Sequence, residues 1–387
     1  MDSRIAPRLA QELRARIREV APEEARALQK EGAVLLDVRE PEEAQAGVAE
    51  GAVHLSRGWI EAKAEEKLPD KSKPVVAYCF SGFRSLFAAE TLQRLGYKDV
   101  RSMAGGFRAW SAAGLPVGGP SGFSDAERRR YARHLVIPEV GEKGQKRLKE
   151  GRVLLVGAGG LGSPAAVYLA AAGVGTLGLV DFDVVDESNL QRQILHTTSR
   201  VGMRKVESAR RTIEDLNPLV TVETFPERLS SENADAILAR FDVVVDGADN
   251  FPTRYLVNDA CVKHRKPNVH GSVFRFEGQA TVFWPGKGPC YRCLYPEPPP
   301  PHLAPSCAEA GVLGVLPGVV GLLEAVETIK ILLGEGEPLV GRLLVYDALA
   351  ATFRELRVAR DPDCAYCGDG AAFPGYVDYE GFCTAAR

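Results

Sequence analysis

The sequence of 387 residues has almost no excess of charge of either sign. Lys and Arg number 48 against 51 Asp and Glu, a formal net charge of −3. General attraction to nucleic acid or anionic lipid needs a basic excess, so neither partner class is expected. A long apolar run free of charge is also missing. The nearest to one, GVLGVLPGVVGLLEAVETIKILLG at residues 311–334, contains Pro317, Glu324, Glu327 and Lys330. Charges at a bilayer centre cost about 3 kcal/mol each, so this stretch reads as a buried loop and helix rather than a membrane span. Residues 1–20 carry charges throughout and lack the apolar middle of a secretory signal. A cytoplasmic, reducing location is therefore expected, where the eight cysteines serve metal or catalysis rather than disulfides. No segment repeats along the chain.

What is present has the balance of a globular protein, with 45% hydrophobic and 26% charged residues. At about 100–200 residues per domain the length suggests two or three domains. The pattern predicts an amphipathic N-terminal helix over residues 1–21 and a small α/β domain over 22–118. In the latter, AVLLDVRE (33–40) and PVVAYCF (74–80) read as buried strands, and SLFAAETLQRLG (85–96) as a helix closed by Gly96. GLPVGGPSG (114–122) reads as a linker, with the boundary at 119–122. A larger α/β domain is expected over 123–370, with strands in RVLLV, TLGLVD, VTVETF, FDVVVDG, NVHGSVF, QATVFW and LLVYD. The tail, 371–387, reads as irregular.

The first loop with chemistry in it is CFSGFRS, residues 79–85. It joins an expected strand to an expected helix. Successive N–H groups of such a loop converge on one point, at the positive end of the following helix. Cys79 is favoured there as a thiolate and Arg84 adds a positive charge, so a reactive sulfur is expected. A cysteine phosphatase would use a similar cradle, but Tyr78 stands where its His is expected and the loop is one residue shorter. This stretch resembles the active loop of rhodanese domains. The resemblance covers about residues 22–118 and includes DVRE (37–40), GAVH (51–54) and AGGFRAW (104–110). It implies that Cys79 carries a persulfide, with a cysteine desulfurase or thiosulfate as the sulfur donor.

The second loop is GAGGLG, with Gly157, Gly159, Gly160 and Gly162 following the apolar run 153–156. Ser163 and Pro164 read as the cap and first position of the next helix, whose N-terminus points at a phosphate. The next strand ends in Asp181, an acid suited to ribose hydroxyls. To this point NAD and ATP are both open. Beyond it come Asp183, Asn189, Arg192, Gln193 and Lys205. Cations and an amide there suit a triphosphate better than a dinucleotide. Asp249 and Asn250 follow another expected strand, and a carboxylate near phosphates suits Mg²⁺.

Residues 123–369 resemble the MoeB/ThiF family, bacterial relatives of ubiquitin-activating enzymes. The matching text is RYARH (130–134), GAGGLGS, DFDVVDESNLQRQ, VGMRKVESA, DGADN, GPCYRCL and SCAEAGVLG. The resemblance implies ATP-dependent adenylation of the C-terminal carboxylate of a ubiquitin-like sulfur carrier ending in Gly-Gly. It implies that Arg192, Lys205 and Asp249 are the adenylation residues, and that Arg133 reaches the partner's ATP in a homodimer. With the rhodanese-like domain it implies a thiocarboxylate product for molybdopterin, thiamine or tRNA thiolation. Protein conjugation by the activated carrier is the alternative, followed by an NAD oxidoreductase. Such a carboxylate has a pKa of about 3.5 and needs alignment and cations rather than a general base, which agrees with motifs free of an obvious catalytic His.

The remaining cysteines fall into kinds. Cys290 with Cys293, and Cys364 with Cys367, are two CxxC pairs, the ligand set of a closed structural zinc site; redox pairs are the alternative. Cys307 follows a proline-rich stretch that cannot be helix or central strand. By the resemblance, Cys307 forms an acyl-disulfide or thioester with the activated carrier. Cys261 reads as helical core, and Cys383 is assigned no role. In the fusions that this chain resembles the rhodanese module usually comes last; here it comes first, and the terminal DYEGFC resembles the connector that would lead into one.

Overall fold

The computed structural model describes residues 5–44, 47–118, 123–299 and 311–385. By internal contacts the chain divides into two compact units, Met1–Val136 and Ile137–Arg387.

Among its described residues the first unit has seven short strands: β1 (Glu19–Val20), β2 (Val34–Asp37), β3 (Val48–Ala49), β4 (Val53–His54), β5 (Val75–Tyr78), β6 (Val100–Met103) and β7 (Val117–Gly118). Five form a parallel sheet in the order β1-β6-β5-β2-β4, and β3 and β7 pair antiparallel. Its helices are α1 (Ile5–Arg14), α2 (Pro22–Lys30), α3 (Pro41–Ala44), α4 (Ile60–Lys67), α5 (Arg84–Arg94), α6 (Gly106–Ala112), α7 (Asp125–Arg130) and α8 (Ala132–Leu135). The central strands β2 and β5 carry VLLD and VVAY, buried almost throughout. A parallel strand covered on both faces shows as a continuous apolar run, which is why both were legible in the sequence. The expected N-terminal helix is shorter than its pattern. It ends at Arg14; Ile17 is buried, and Glu19–Val20 extends to pair with Ser102 and Met103. Burial of Val20 beside β6 outweighs the helical pattern.

In the second unit the strands are β8 (Arg152–Val156), β9 (Thr176–Val180), β10 (Thr221–Phe225), β11 (Val243–Asp246), β12 (Asn268–Phe274), β13 (Glu277–Phe283), β14 (Arg342–Asp347) and β15 (Thr352–Arg357). They lie in the order β10-β9-β8-β11-β12-β13-β14-β15. Pairing is parallel from β10 to β12 and antiparallel from β12 to β15. The helices are α9 (Gly141–Glu150), α10 (Gly162–Ala172), α11 (Lys205–Leu216), α12 (Ala234–Leu238), α13 (Phe251–His264), α14 (Tyr291–Leu294), α15 (Leu316–Leu333) and α16 (Tyr379–Ala385).

Both sheet faces are covered. Val153 and Leu155 of β8 pack with Leu169, Leu177 and Val206. The alternate residues Leu154 and Val156 pack with Phe241, Val244, Tyr255 and Leu256 on the other face. Each such side chain contributes about 1.5–3 kcal/mol on burial, which fixes the register of β8 and the loop at its end. The apolar stretch after residue 311 forms α15, which buries Leu316, Val320, Ala325 and Leu333. Among the described residues no helix is long and apolar enough to cross a membrane.

Two elements differ from the sequence reading. The tail is not wholly irregular: α16 closes it, with Tyr379 buried and Phe382 edge-on to Tyr255 at 5.1 Å. β15 was not anticipated, because all six residues of TFRELR are exposed and give no apolar signal. It exists through its ladder with β14, including the stacked pair Tyr346–Phe353 at 4.4 Å.

Candidate functional site

β8 is flanked by β9 and β11. The chain runs outward from β8 to β10, then returns to the other side of β8 as β11. Beyond the strand ends at such a switch point an open sheet forms a crevice. Here the cleft encloses about 940 Å³ including its open mouth. Gly157 sits at φ +99°, and a Cβ on Gly162 would lie 2.0 Å from the Gly157 carbonyl. Only glycine lets the strand turn this tightly into α10. The expected cap is displaced: α10 begins at Gly162 after Leu161, so Ser163 and Pro164 lie inside the first turn. The Ser163 hydroxyl is buried without a hydrogen-bond partner.

The cleft is lined by Gly157, Gly159, Gly160, Asp181, Asp183, Arg192, Gln193, Lys205, Asp249 and Asn250. Ten residues scattered over nearly a hundred positions thus meet at one place. Asp181 accepts hydrogen bonds from the N–H groups of Ala158 and Asp183, both at 2.9 Å. Lys205 donates to Asp183 Oδ2 at 2.8 Å. Arg192 donates to the Ser188 carbonyl at 3.1 Å. Gln193 is buried, and its side-chain oxygen has no partner. A buried amide oxygen of this kind suits a donor on a bound ligand. Asn250 caps α13 by accepting from Thr253 N at 2.9 Å, and its amide donates to Asp249 at 3.3 Å. Asn189 differs from the others. Its side chain accepts from Asp186 N at 3.3 Å, closing the capping box that Asp186 opens on the turn Glu187–Asn189, and it does not line the cleft.

Several residues of this region went unnoticed in the sequence. Arg254 lines the cleft and donates to the Ala248 carbonyl at 3.1 Å. Glu227 and Arg228 line it as well. Beneath it, Asp246 accepts from Ala248 N at 3.1 Å and lies 2.9 Å from His270 Nδ1. Burial holds His270 below the usual imidazole range against the pull of Asp246. His196 is also lowered by burial; its Nε2 bonds the Ala158 carbonyl and its Nδ1 the Ser208 hydroxyl, both at 3.0 Å. Burial first, then Asp246, pushes the Glu324 carboxyl well up. His196 and His270 are thus structural groups behind the loops, and among the described residues no histidine lines the cleft. Only Glu324, a carboxyl within an apolar helix, was a visible signal.

In the first unit, Cys79 directly follows β5 and is buried, with its sulfur 3.8 Å from the Ser85 hydroxyl. The loop is backed by α6. The Cys79 carbonyl accepts from Phe107 N at 2.7 Å and that of Phe80 from Arg108 N at 3.1 Å. A Cβ on Gly106 would come within 2.2 Å of the Cys79 carbonyl, which explains the second glycine of AGGF. Arg84 opens α5, but its charge is shared: it grips Glu43 through both nitrogens at 2.6 Å. The sequence had shown Arg84 as a free charge. Arg39 holds Asp37 in a fully buried pair and lies 4.0 Å over the Phe107 ring.

The four paired cysteines converge. All their sulfur atoms lie within 4.8 Å of one another. Cys290 is 3.9 Å from Cys293 and 3.7 Å from Cys364, and Cys293 is 3.3 Å from Cys367. Sulfurs bonded at ~2.3 Å to one tetrahedral ion lie about 3.8 Å apart, so the set fits zinc. Distances between the pairs match those within them, which disfavours two separate redox pairs. Arg292, between Cys290 and Cys293, is held by Asp259 through two bonds of 2.8 Å, and Tyr379 of α16 donates to the same carboxylate at 2.9 Å. Cys261 is fully buried in α13, and burial pushes its thiol upward. Arg133 is exposed on α8 in the first unit. Cys307 lies outside the described residues.

Residues 131–366 match the ThiF family model, and residues 21–113 match that of the rhodanese-like domain. The chain is 56% identical over 262 residues to a sulfur carrier protein adenylyltransferase of Thermus thermophilus, covering 66% of this chain and 97% of that protein. It is 54% identical over 267 residues to a probable adenylyltransferase/sulfurtransferase MoeZ of Mycobacterium tuberculosis, covering 68% of this chain and 67% of that one. A solved structure of E. coli MccB with MccA-N7isoASN aligns with a TM-score of 0.57 at 23% identity, over 65% of this chain and 78% of the other. That likeness concerns the fold.

Proposed function

The chain belongs to the ThiF family, and from that membership and its N-terminal rhodanese-like domain we propose that it adenylates the C-terminal carboxylate of a ubiquitin-like sulfur carrier ending in Gly-Gly, then supplies sulfur to give a thiocarboxylate. It is an adenylyltransferase joined to a sulfurtransferase. The observation that carries the reading is the single cleft lined by the glycine loop, Arg192, Gln193, Lys205 and Asp249. ATP is the substrate that these groups suit. The ionised carboxylate attacks the α-phosphorus, the new C–O–P bond forms, and pyrophosphate leaves. Arg192 and Lys205 spread the charge that builds on the phosphate oxygens. Asp249 would hold Mg²⁺, which would neutralise and align the phosphates. No side chain needs to remove a proton, in keeping with a cleft that no histidine among the described residues lines.

The acyl-adenylate then presents an electrophilic carbon to a persulfide on Cys79. A C–S bond forms to the outer sulfur and AMP leaves, giving an acyl-disulfide on Cys79. A second thiol then attacks the Cys79 sulfur. The S–S bond breaks with its electron pair leaving on the thiocarboxylate, and the two thiols become a disulfide. Cys307 is assigned to the covalent handling of the activated carrier. Zinc on the four cysteines ties the end of the larger domain to its middle. The domains are assigned to 22–118 and 123–370. The active form is a homodimer in which Arg133 reaches the partner's nucleotide, in a reducing cytoplasm. The product feeds molybdopterin, thiamine or tRNA thiolation. The test is mass spectrometry of a Gly-Gly-ended carrier after incubation with ATP, Mg²⁺ and a persulfide donor. Replacement of one oxygen by sulfur is expected. Carrier–lysine isopeptides in place of thiocarboxylate would turn the reading to protein conjugation.

A further inference from the structure

We propose that Glu43 sets the donor specificity of the Cys79 loop, disfavouring small polyanions such as thiosulfate and leaving persulfides of thiols as the sulfur source. The inference rests on the reading of Cys79 as the sulfur acceptor.

Arg84 presents both terminal nitrogens to the two oxygens of Glu43, each at 2.6 Å. This is the fork that an incoming oxyanion would itself need. The pair sits at the loop's rim, each side chain 34% exposed. Glu43 is fixed from a second side, where Glu40 N donates to it at 3.0 Å. The Arg84 hydrogen bonds hold its carboxyl down at about 2, so it stays ionised through the physiological range. Arg84 faces Cys79 as well as Glu43. Arg39 cannot substitute for it, being buried with Asp37 and donating to the Gly47 carbonyl at 2.6 Å. Arg108 of α6 lies exposed to water, where its field is screened.

What remains for a ligand at Cys79 is the loop's N–H groups and the N-terminus of α5, worth about half a charge. Thiosulfate brings two negative charges and would have to displace Glu43 or lie beside it. A persulfide brings at most one, and its carbon arm can rest on Phe80, which is 49% exposed. The transfer is balanced without an outside oxidant. The Cys79 thiolate attacks the terminal sulfur of R–S–SH, a new S–S bond forms, the donor's S–S bond breaks, and its electron pair leaves on RS⁻. The proton stays on the transferred sulfur. With thiosulfate the same attack would expel sulfite.

The test uses the full chain, with thiosulfate and cysteine persulfide as the two donors. Glu43→Gln and Glu43→Ala should each lower the KM for thiosulfate about tenfold, the scale of relieving a like-charge contact at a rim. Transfer from cysteine persulfide should stay within about twofold of wild type, since that donor does not contend for Arg84. An unchanged thiosulfate KM with intact persulfide transfer overturns the role of Glu43 alone. A parallel change with both donors overturns it too, because a merely structural effect would be blind to donor charge. If neither donor adds a sulfur mass to Cys79 in the wild-type chain, the sulfurtransfer reading falls and this inference with it.

Discussion

Lys205 Nζ lies 2.8 Å from Asp183 Oδ2, yet the two side chains face different surroundings: Lys205 is 8% exposed and Asp183 48%. The ammonium is pinned inside the cleft wall by a carboxylate that reaches it from the water side. A cation so held meets a phosphate without first being ordered. Lys205→Ala and Arg192→Ala should each reduce carrier-dependent ATP–pyrophosphate exchange by about two orders of magnitude, the scale of losing one transition-state charge contact. Exchange that persists undiminished in both variants would remove these residues from the reaction.

The cysteine cluster predicts about one zinc per chain, since four thiolates close one tetrahedral site. Cys364→Ser should lose the metal and lower the melting temperature together. Elemental analysis and a thermal melt check this; a full metal complement in the variant would mean that the two pairs are not one site.

Cys79 acts after adenylation in the proposed order. Cys79→Ala should therefore leave pyrophosphate exchange near wild type while abolishing sulfane transfer and thiocarboxylate formation, since the cradle then holds no nucleophile. Free sulfide should restore the thiocarboxylate by attacking the adenylate directly. Wild-type sulfur transfer by the variant would detach the first domain from the reaction.

The C-terminal tail should loosen in acid. Tyr376 donates to Asp235 at 2.6 Å, and His264 Nε2 lies 2.8 Å from the same carboxylate. Burial raises the Asp235 carboxyl, but hydrogen bonds from Lys263, Tyr376 and His264 outweigh it and bring it to about 2. A depressed carboxyl stabilises above its unfolded value near 4 and loses that contribution as pH falls through about 2. Asp235 is 37% exposed, so screening limits the effect to about 1 kcal/mol or less. Limited proteolysis after Tyr376 should accelerate between pH 4 and 2 in wild type, and already at neutral pH in Tyr376→Phe. Equal cleavage at all pH values would show that Asp235 does not hold the tail.

Local chemistry determined much of this protein in the sequence alone. Buried parallel strands write continuous apolar runs, so RVLLV and VVAY were legible, and so were the loops at their ends, because glycines and a cysteine between strand and helix have few other uses. The two CxxC pairs marked out the four sulfurs that the fold brings within 4.8 Å of one another. Tertiary structure decided what depends on neighbours far along the chain. β15 has no apolar face and exists only through β14; α16 folds because Tyr379 finds Asp259, 120 residues away. Whether Arg84 is a free charge or one half of an ion pair could not be read from CFSGFRS, since Glu43 comes from α3 and is brought to it by the packing of the sheet. A side chain's type is a property of its position in the chain, whereas its net field is a sum over whatever the fold sets beside it.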